Sequence, residues 1–182
     1  MPRAAGLLQA TTLGGSDIEE AFALAIAPTT GDVYVTGVAD SADFPGTAGG
    51  AQSVHGGGRD DGFIARLNAD LTALDQATFL GGGGRDAAVA IRLTTSDVFV
   101  AGFTESTNFP GTVGGAQSAL GGNGDAFVAR LSADLSVSCQ GCQQCSGAPI
   151  SEAQYTPALL MLTCLLSWAW MQLARRRRLP RA

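Results

Sequence analysis

Three closely spaced cysteines are the clearest candidates for chemistry in this sequence. Cys139, Cys142 and Cys145 lie within seven residues, a spacing found in metal and redox sites. A structural zinc site needs four ligands, but Cys164 lies inside an apolar run and His55, the single histidine, is far away. We therefore interpret the cluster as a linker that forms disulfides outside the cytoplasm or is modified there. A metal site and the absence of a defined role are the alternatives.

Two glycine–aspartate runs raise the question of calcium binding. Residues 81–86 follow the pattern Gly-Gly-x-Gly-x-Asp of calcium-binding β-roll nonapeptides, and residues 121–125 are one residue short of it. Such nonapeptides bind calcium when they are stacked turn upon turn, whereas these runs lie far apart. We predict tight turns in which an aspartate caps the backbone, with calcium as the alternative. No Gly-Lys-Ser/Thr follows either run, which excludes a phosphate-binding loop.

The remaining polar candidates do not form a catalytic pattern. A general base needs a nucleophile or acid partner, and Ser53 and Asp60 lie near His55 without a known triad layout. Arg66 and Arg130 occupy equivalent positions in two similar segments, so we expect each to pair with an acid within its blade rather than to bind a substrate. The sequence therefore predicts no catalytic residue, no cofactor and no enzyme.

The charge distribution argues against binding to nucleic acid. All 11 basic residues are arginines, five of them in the last eight residues, while all 16 acidic residues precede residue 156. An acidic body of this kind should repel phosphates, whose binding depends on clustered Lys and Arg. The 25 glycines and the low charged content of 15% suit many short strands joined by tight turns.

The elements that must position these residues recur along the chain. Five blocks appear twice in the same order, at an offset of 64 to 67 residues, which indicates an internal repeat. The matched blocks are residues 13–15 with 80–82, 33–37 with 98–102, 44–47 with 109–112, 50–53 with 115–118, and 61–67 with 125–131.

Within one period the pattern is that of β-strands. Over residues 63–68 one face carries Phe63, Ala65 and Leu67. The other face carries Ile64, Arg66 and Asn68, and this alternation is typical of a half-buried strand. Three further strands are predicted at about 73–80, 87–93 and 98–104, followed by a Pro/Gly loop over 106–124. These four strands predict one full propeller blade at about 61–106, between the end of one blade (about 8–40) and the start of another (125–138).

The repeated blocks resemble the bacterial SBBP-type β-propeller repeat over about residues 8–135. The resemblance implies a propeller scaffold, seven-bladed by family name, in secreted and surface proteins, and it implies no reaction. We expect an all-β fold over residues 1–138, an incomplete propeller of about two blades. Closed propellers need about 4–8 blades, so the chain is expected to be the tail of a longer product. Completion by association and a decayed remnant are the alternatives.

A membrane anchor is predicted near the C-terminus. Residues 156–174 are nineteen consecutive uncharged residues, about the length that spans a bilayer as a helix. Positive charge stays on the cytoplasmic side, so the tail over 175–182 is predicted to be cytoplasmic and residues 1–155 to lie outside. The arginines that set this topology are Arg175, Arg176, Arg177 and Arg178.

The linker over residues 139–155 contains a short motif before the helix. A motif, a helix and an arginine cluster together resemble the bacterial CTERM sorting signals, here of the IPTL type. The resemblance implies recognition by a membrane sorting enzyme, with cleavage and transfer to the cell surface. The motif residues are Pro149, Ile150, Ser151 and Glu152.

The function expected from the sequence is therefore that of a non-catalytic cell-surface module. The repeats would be held at the membrane or outer envelope and would bind an unknown surface protein or glycan. Two alternatives stand beside it: the C-terminal part of a larger surface enzyme, and a calcium-dependent adhesin.

Overall fold

A computed structural model describes residues 6–136, and these form two antiparallel sheets without a helix. Sheet 1 has the order β1-β2-β3-β4 and sheet 2 has the order β5-β6-β7. The all-β prediction is confirmed for this part of the chain. The strands are β1 (Glu19–Ile26), β2 (Val33–Ala39), β3 (Asp61–Leu67), β4 (Leu74–Leu80), β5 (Asp86–Leu93), β6 (Asp97–Thr104) and β7 (Asp125–Ser132).

The described residues include no helix that is long and apolar enough to cross a membrane. The predicted helix over 156–174 lies outside them, as do the predicted linker over 139–155 and the tail over 175–182.

The grouping of strands into sheets differs from the prediction. The four strands expected to form one blade at about 61–106 are divided, because β3 and β4 belong to sheet 1 while β5 and β6 belong to sheet 2. The physical reason is that β2 and β3 pair along their whole length, from Val33 opposite Leu67 to Ala39 opposite Asp61, across a long loop. The Pro/Gly loop over 106–124 likewise connects two paired strands, β6 and β7, within sheet 2.

The two sheets pack against each other through unlike faces. The face of sheet 1 that carries Tyr34, Ile64 and Leu80 shares one core cluster with Val98 and Val100 of sheet 2. The Tyr34 hydroxyl also donates a hydrogen bond to the carbonyl of Ala133, at 2.5 Å. This face-to-face contact is the main internal interface of the described region.

A second core cluster lies on the opposite face of sheet 1. There Phe63 of β3 and Phe79 of β4 are fully buried beneath Phe44, which comes from the loop between β2 and β3. The rings of Phe44 and Phe63 are 4.6 Å apart between centroids. Loop residues therefore cover the part of this face formed by β3 and β4, while Leu24 and Ile26 of β1 stay exposed.

Matched blocks of the sequence adopt similar local geometry. Phe109 packs on Phe127 with ring centroids 4.5 Å apart, much as Phe44 packs on Phe63. The pairing of β1 with β2 shifts register between Ala21 and Ala23, and the pairing of β5 with β6 shifts at the equivalent point, between Ala88 and Ala90. Equivalent positions in the two sheets can therefore be compared residue by residue.

Candidate functional site

Carboxylates at the starts of strands hold the glycine turns that precede them. Asp86, the first residue of β5, accepts a hydrogen bond from the N–H of Gly82 at 2.7 Å. Asp125, the first residue of β7, accepts one from the N–H of Gly121, also at 2.7 Å. These contacts confirm the turn-capping role that the glycine–aspartate runs predicted.

A third carboxylate at a strand start, that of Asp61 in β3, lies at the centre of a buried polar cluster. Its side chain is fully buried, and Oδ2 accepts hydrogen bonds from the N–H of Gly56 at 2.6 Å and from Nε2 of Gln52 at 3.2 Å. Among the described residues Oδ1 has no hydrogen-bond partner. Burial raises the pKa of Asp61 to about 6, because removal from water disfavours the charged form.

His55 lies beside Asp61 without forming a catalytic pair. Its Nδ1 accepts a hydrogen bond from the N–H of Gly57 at 3.1 Å, and its Nε2 lies 3.2 Å from the carbonyl oxygen of Ala39. These contacts favour the tautomer in which Nε2 carries the proton and donates it to that carbonyl. Because Nε2 is 3.9 Å from Oδ1 of Asp61, the histidine is held mainly by backbone groups.

The two other polar residues considered with His55 are placed differently. The carboxylate of Asp60 accepts a hydrogen bond from Nε of Arg85 at 2.8 Å, linking the start of β3 to the start of β5. Ser53 lies exposed in the loop between β2 and β3. The three side chains therefore do not form the hydrogen-bonded chain of a nucleophilic triad.

The buried carboxylate gives a testable pH dependence. A raised pKa means that the folded chain takes up a proton before the unfolded chain does, so stability should rise as the pH falls from 7 to 5. Asp61→Asn should be more stable than the wild type at pH 7, by at most about 3 kcal/mol, and this advantage should shrink at pH 5. Thermal unfolding of both chains by circular dichroism measures it. A difference that stays constant between pH 5 and 7 would contradict the assignment.

Arg66 lies near an acid of its own predicted blade, as expected, whereas the partner of Arg130 is Asp97, which the prediction placed in the preceding blade. Nη2 of Arg130 in β7 is 3.0 Å from Oδ2 of Asp97 in β6. Nε of Arg66 in β3 is 3.9 Å from Oδ2 of Asp75 in β4. Both arginines are therefore engaged by neighbouring strands of their own sheet.

The main difference between the two sheets is at the edge beyond β3 and β7. In sheet 1, β4 lies between β3 and the loop that joins β2 to β3. The N–H of Ala77 donates to the carbonyl of Gly46 at 2.8 Å, and the N–H of Phe79 donates to that of Gln52 at 3.0 Å. The edge strand is thus hydrogen-bonded on both sides.

In sheet 2 the equivalent space is open among the described residues. No strand of residues 6–136 pairs with the outer edge of β7. A cavity of about 900 Å³ lies there, bordered by Phe127, Ala129 and Leu131 of β7 and by residues 109–112 and 115–120 of the loop that joins β6 to β7. We call this space the strand slot.

Exposure of equivalent residues confirms that the strand slot is unfilled by the described part of the chain. Ala65 of β3 is fully buried beneath β4, whereas Ala129 of β7 is only half-buried. A methyl group added to Gly46 would meet Leu74 of β4, whereas Gly111 has no described atom within 4 Å of the same position. The slot therefore combines free backbone hydrogen-bonding groups with an apolar floor.

The predicted site residues near the C-terminus lie outside residues 6–136, and their roles stay predictions. They are Cys139, Cys142 and Cys145, Pro149, Ile150, Ser151 and Glu152, and Arg175, Arg176, Arg177 and Arg178. The strand slot was not predicted from the sequence. A count of strands in each sheet could have found it, but the predicted grouping placed the sheet boundary elsewhere.

No protein-family model, curated protein or solved structure matches this chain. The function must therefore be inferred from the residues of this chain.

Proposed function

We propose that this chain is a non-catalytic interaction module of the cell surface, in which propeller-type units bind another polypeptide at the strand slot. Residues 156–174 would hold the module in a membrane, with Arg175–Arg178 on the cytoplasmic side and the sheets outside. The motif at residues 149–152 would direct it to a sorting enzyme. The nineteen-residue uncharged run and the arginines after it support the anchor.

Two features support propeller-type units of the kind seen in SBBP repeats. Each sheet is an antiparallel meander, and the two sheets stack face to face through an apolar cluster, as propeller blades do. The matched blocks, including the Phe44–Phe63 and Phe109–Phe127 pairs, have the same local geometry.

The strand slot is the observation that carries the interaction role. An exposed sheet edge binds an extended peptide through main-chain hydrogen bonds, and pockets for alternate side chains give specificity. Here the loop carbonyls of Gly111 and Gln117 are equivalent to those of Gly46 and Gln52, which accept hydrogen bonds from β4. The ring of Phe127 forms part of the floor. The slot therefore fits one strand with an apolar inner face.

A peptide with the sequence of residues 74–80 is the direct probe. It should bind the full-length chain, kept in detergent micelles at low concentration, in a saturable manner measured by fluorescence anisotropy. Replacing its phenylalanine, the counterpart of Phe79, by aspartate should weaken binding about tenfold or more, because a buried aromatic contact is replaced by a charge. Equal binding of the two peptides, or no binding, would contradict the proposed function.

A further inference from the structure

The seven residues before the glycine turn that precedes β1 resemble β4 in sequence. Residues 7–13 match residues 74–80 at five of seven positions, and the Gly-Gly pair that follows is shared. The two aligned segments are Leu-Leu-Gln-Ala-Thr-Thr-Leu and Leu-Asp-Gln-Ala-Thr-Phe-Leu. We call residues 7–13 the N-terminal arm.

The arm has the sequence of a buried edge strand but lies outside both sheets. Leu7 is 86% exposed and Leu8 is 79% exposed, and no residue of the arm belongs to a strand. Its counterpart in β4 is largely buried, with Ala77 and Phe79 fully so. Residues 6–136 thus contain one edge-strand sequence without a sheet and one sheet without an edge strand.

We propose that the arm of one copy of this chain fills the strand slot of a second copy, so that copies join head to tail. The proposal rests on the proposed function and names the partner as another copy of the same chain. The pairing of β3 with β4 sets the register: Ala10 should lie opposite Ala129, as Ala77 lies opposite Ala65. The N–H of Ala10 should donate to the carbonyl of Gly111, as that of Ala77 donates to Gly46.

The outer face of sheet 2 supports this arrangement. Val128 is 78% exposed, while its counterpart Ile64 is fully buried in the interface between the sheets. Phe99 is 36% exposed, while its counterpart Tyr34 is 3% exposed. The outer face of sheet 2 thus has the residues of an interface with no sheet packed on it among the described residues.

The outer face of sheet 1 provides the surface that would pack on the outer face of sheet 2. Leu24 and Ile26 are 64% and 61% exposed. Their counterparts, Ile91 and Leu93, pack against the core cluster between the sheets. A copy whose arm enters the slot would set its sheet 1 on the partner's sheet 2, because residues 13–15 match the start of the connection from β4 to β5. The N–H of Gly15 also donates to Glu19 as that of Gly82 donates to Asp86. Both apolar faces would then be covered by the contact already present inside one copy.

The chain's own segment after β7 is a poorer occupant. Aligned with β4, residues 138–144 place a glutamine at the counterpart of Phe79 and contain no aliphatic residue. The arm keeps leucine at both ends and alanine at the counterpart of the fully buried Ala77. Apolar matching therefore favours the arm.

The first test is the oligomeric state of the full-length chain in detergent micelles, measured by light scattering after gel filtration. The wild type should be a dimer or larger. Ala10→Glu should raise the dissociation constant at least tenfold, because the counterpart position has no room for a longer side chain. Leu8→Glu is the matched control: its counterpart is Asp75, an exposed acid, so the assembly should persist. At a dilution where all the chains are monomeric, both variants should melt at the wild-type temperature, since both positions are exposed.

The second test fixes the register. Full-length chains with the four native cysteines replaced by serine would carry either Ala10→Cys or Ala129→Cys, and the two would be mixed and oxidised. A disulfide between the two chains is expected, because opposed residues lie within bonding range. Ala126→Cys in place of Ala129→Cys moves the thiol three residues, about 10 Å, along the strand, and the yield should fall at least fivefold.

The outcomes separate this inference from the proposed function. If Ala10→Glu leaves the assembly intact, or if the wild type is a monomer, copies do not join through the arm. The proposed function would still stand if the Ala10→Glu chain binds the peptide of residues 74–80. If the chain is a monomer and that peptide does not bind, the slot is filled from within the chain and both proposals are wrong.

Discussion

Replacing Gly37 by alanine should destabilise the sheets by at least about 3 kcal/mol, since overpacking against backbone cannot be relieved by a rotamer change. Gly37 lies opposite Ala21 in β1, beside the register shift. A methyl group there would overlap the carbonyl oxygen of Glu20 and would lie 2.9 Å from the ring of Phe63. The melting temperature should fall by roughly 10 °C or more.

The equivalent change in sheet 2 should behave in the same way. At Gly102 the methyl group would overlap the carbonyl oxygen of Ala87 and lie 3.0 Å from the ring of Phe127. Gly122→Ala is the control, because that position has no described atom within 4 Å and no positive φ. If Gly37→Ala and Gly122→Ala have the same melting temperature, the pairing of β1 with β2 has been assigned wrongly.

Deleting residues 156–182 should move nearly all of the protein from the membrane fraction to the soluble fraction. The deletion removes the nineteen-residue uncharged run, whose burial in the bilayer is the proposed source of membrane binding. Ultracentrifugation of cell lysates, followed by immunoblotting of pellet and supernatant, measures the distribution.

A shorter deletion provides the matched control for the anchor. Removing residues 175–182 alone leaves the apolar run intact, so the protein should stay in the membrane while its orientation becomes mixed. Membrane association of the longer deletion after a carbonate wash would show that another part of the chain holds it there.

The strands could be predicted because their signal is local. The alternation over residues 63–68 predicted a strand that coincides with β3 at Asp61–Leu67. The prediction that it is half-buried was wrong, because sheet 2 and the loop between β2 and β3 cover both faces of β3. The turn-capping role of Asp86 and Asp125 was also predictable. Each aspartate ends a glycine-rich run and lies four residues after the glycine whose N–H it binds.

The division into sheets could not be predicted in the same way. Any cut through a repeating period contains the same four strands, so the period alone does not show which of them pair. Which strands share a sheet depends on the pairing of β2 with β3 across the loop over 40–60. That contact is non-local, and it is stabilised by packing of Phe44 on Phe63.

The buried centre around Asp61 was missed for a related reason. Gln52, His55 and Gly56 stand close to Asp61 in the sequence, but nothing in their order shows that the loop folds back to surround one carboxylate. The strand slot, in contrast, left a signal in the sequence. The match of residues 7–13 to 74–80 extends the shared Leu-Gly-Gly block towards the N-terminus.

Packing through two unlike faces also bears on how a gene for such a protein can change in length. Sheet 1 turns one face to sheet 2, and in the proposed assembly its other face meets sheet 2 of another copy. Duplication or loss of a whole unit of 64 to 67 residues therefore replaces each contact by one of the same kind. Duplication of half a unit would set an edge strand against a loop with no matching partner. Changes in length are therefore expected to add or remove whole units.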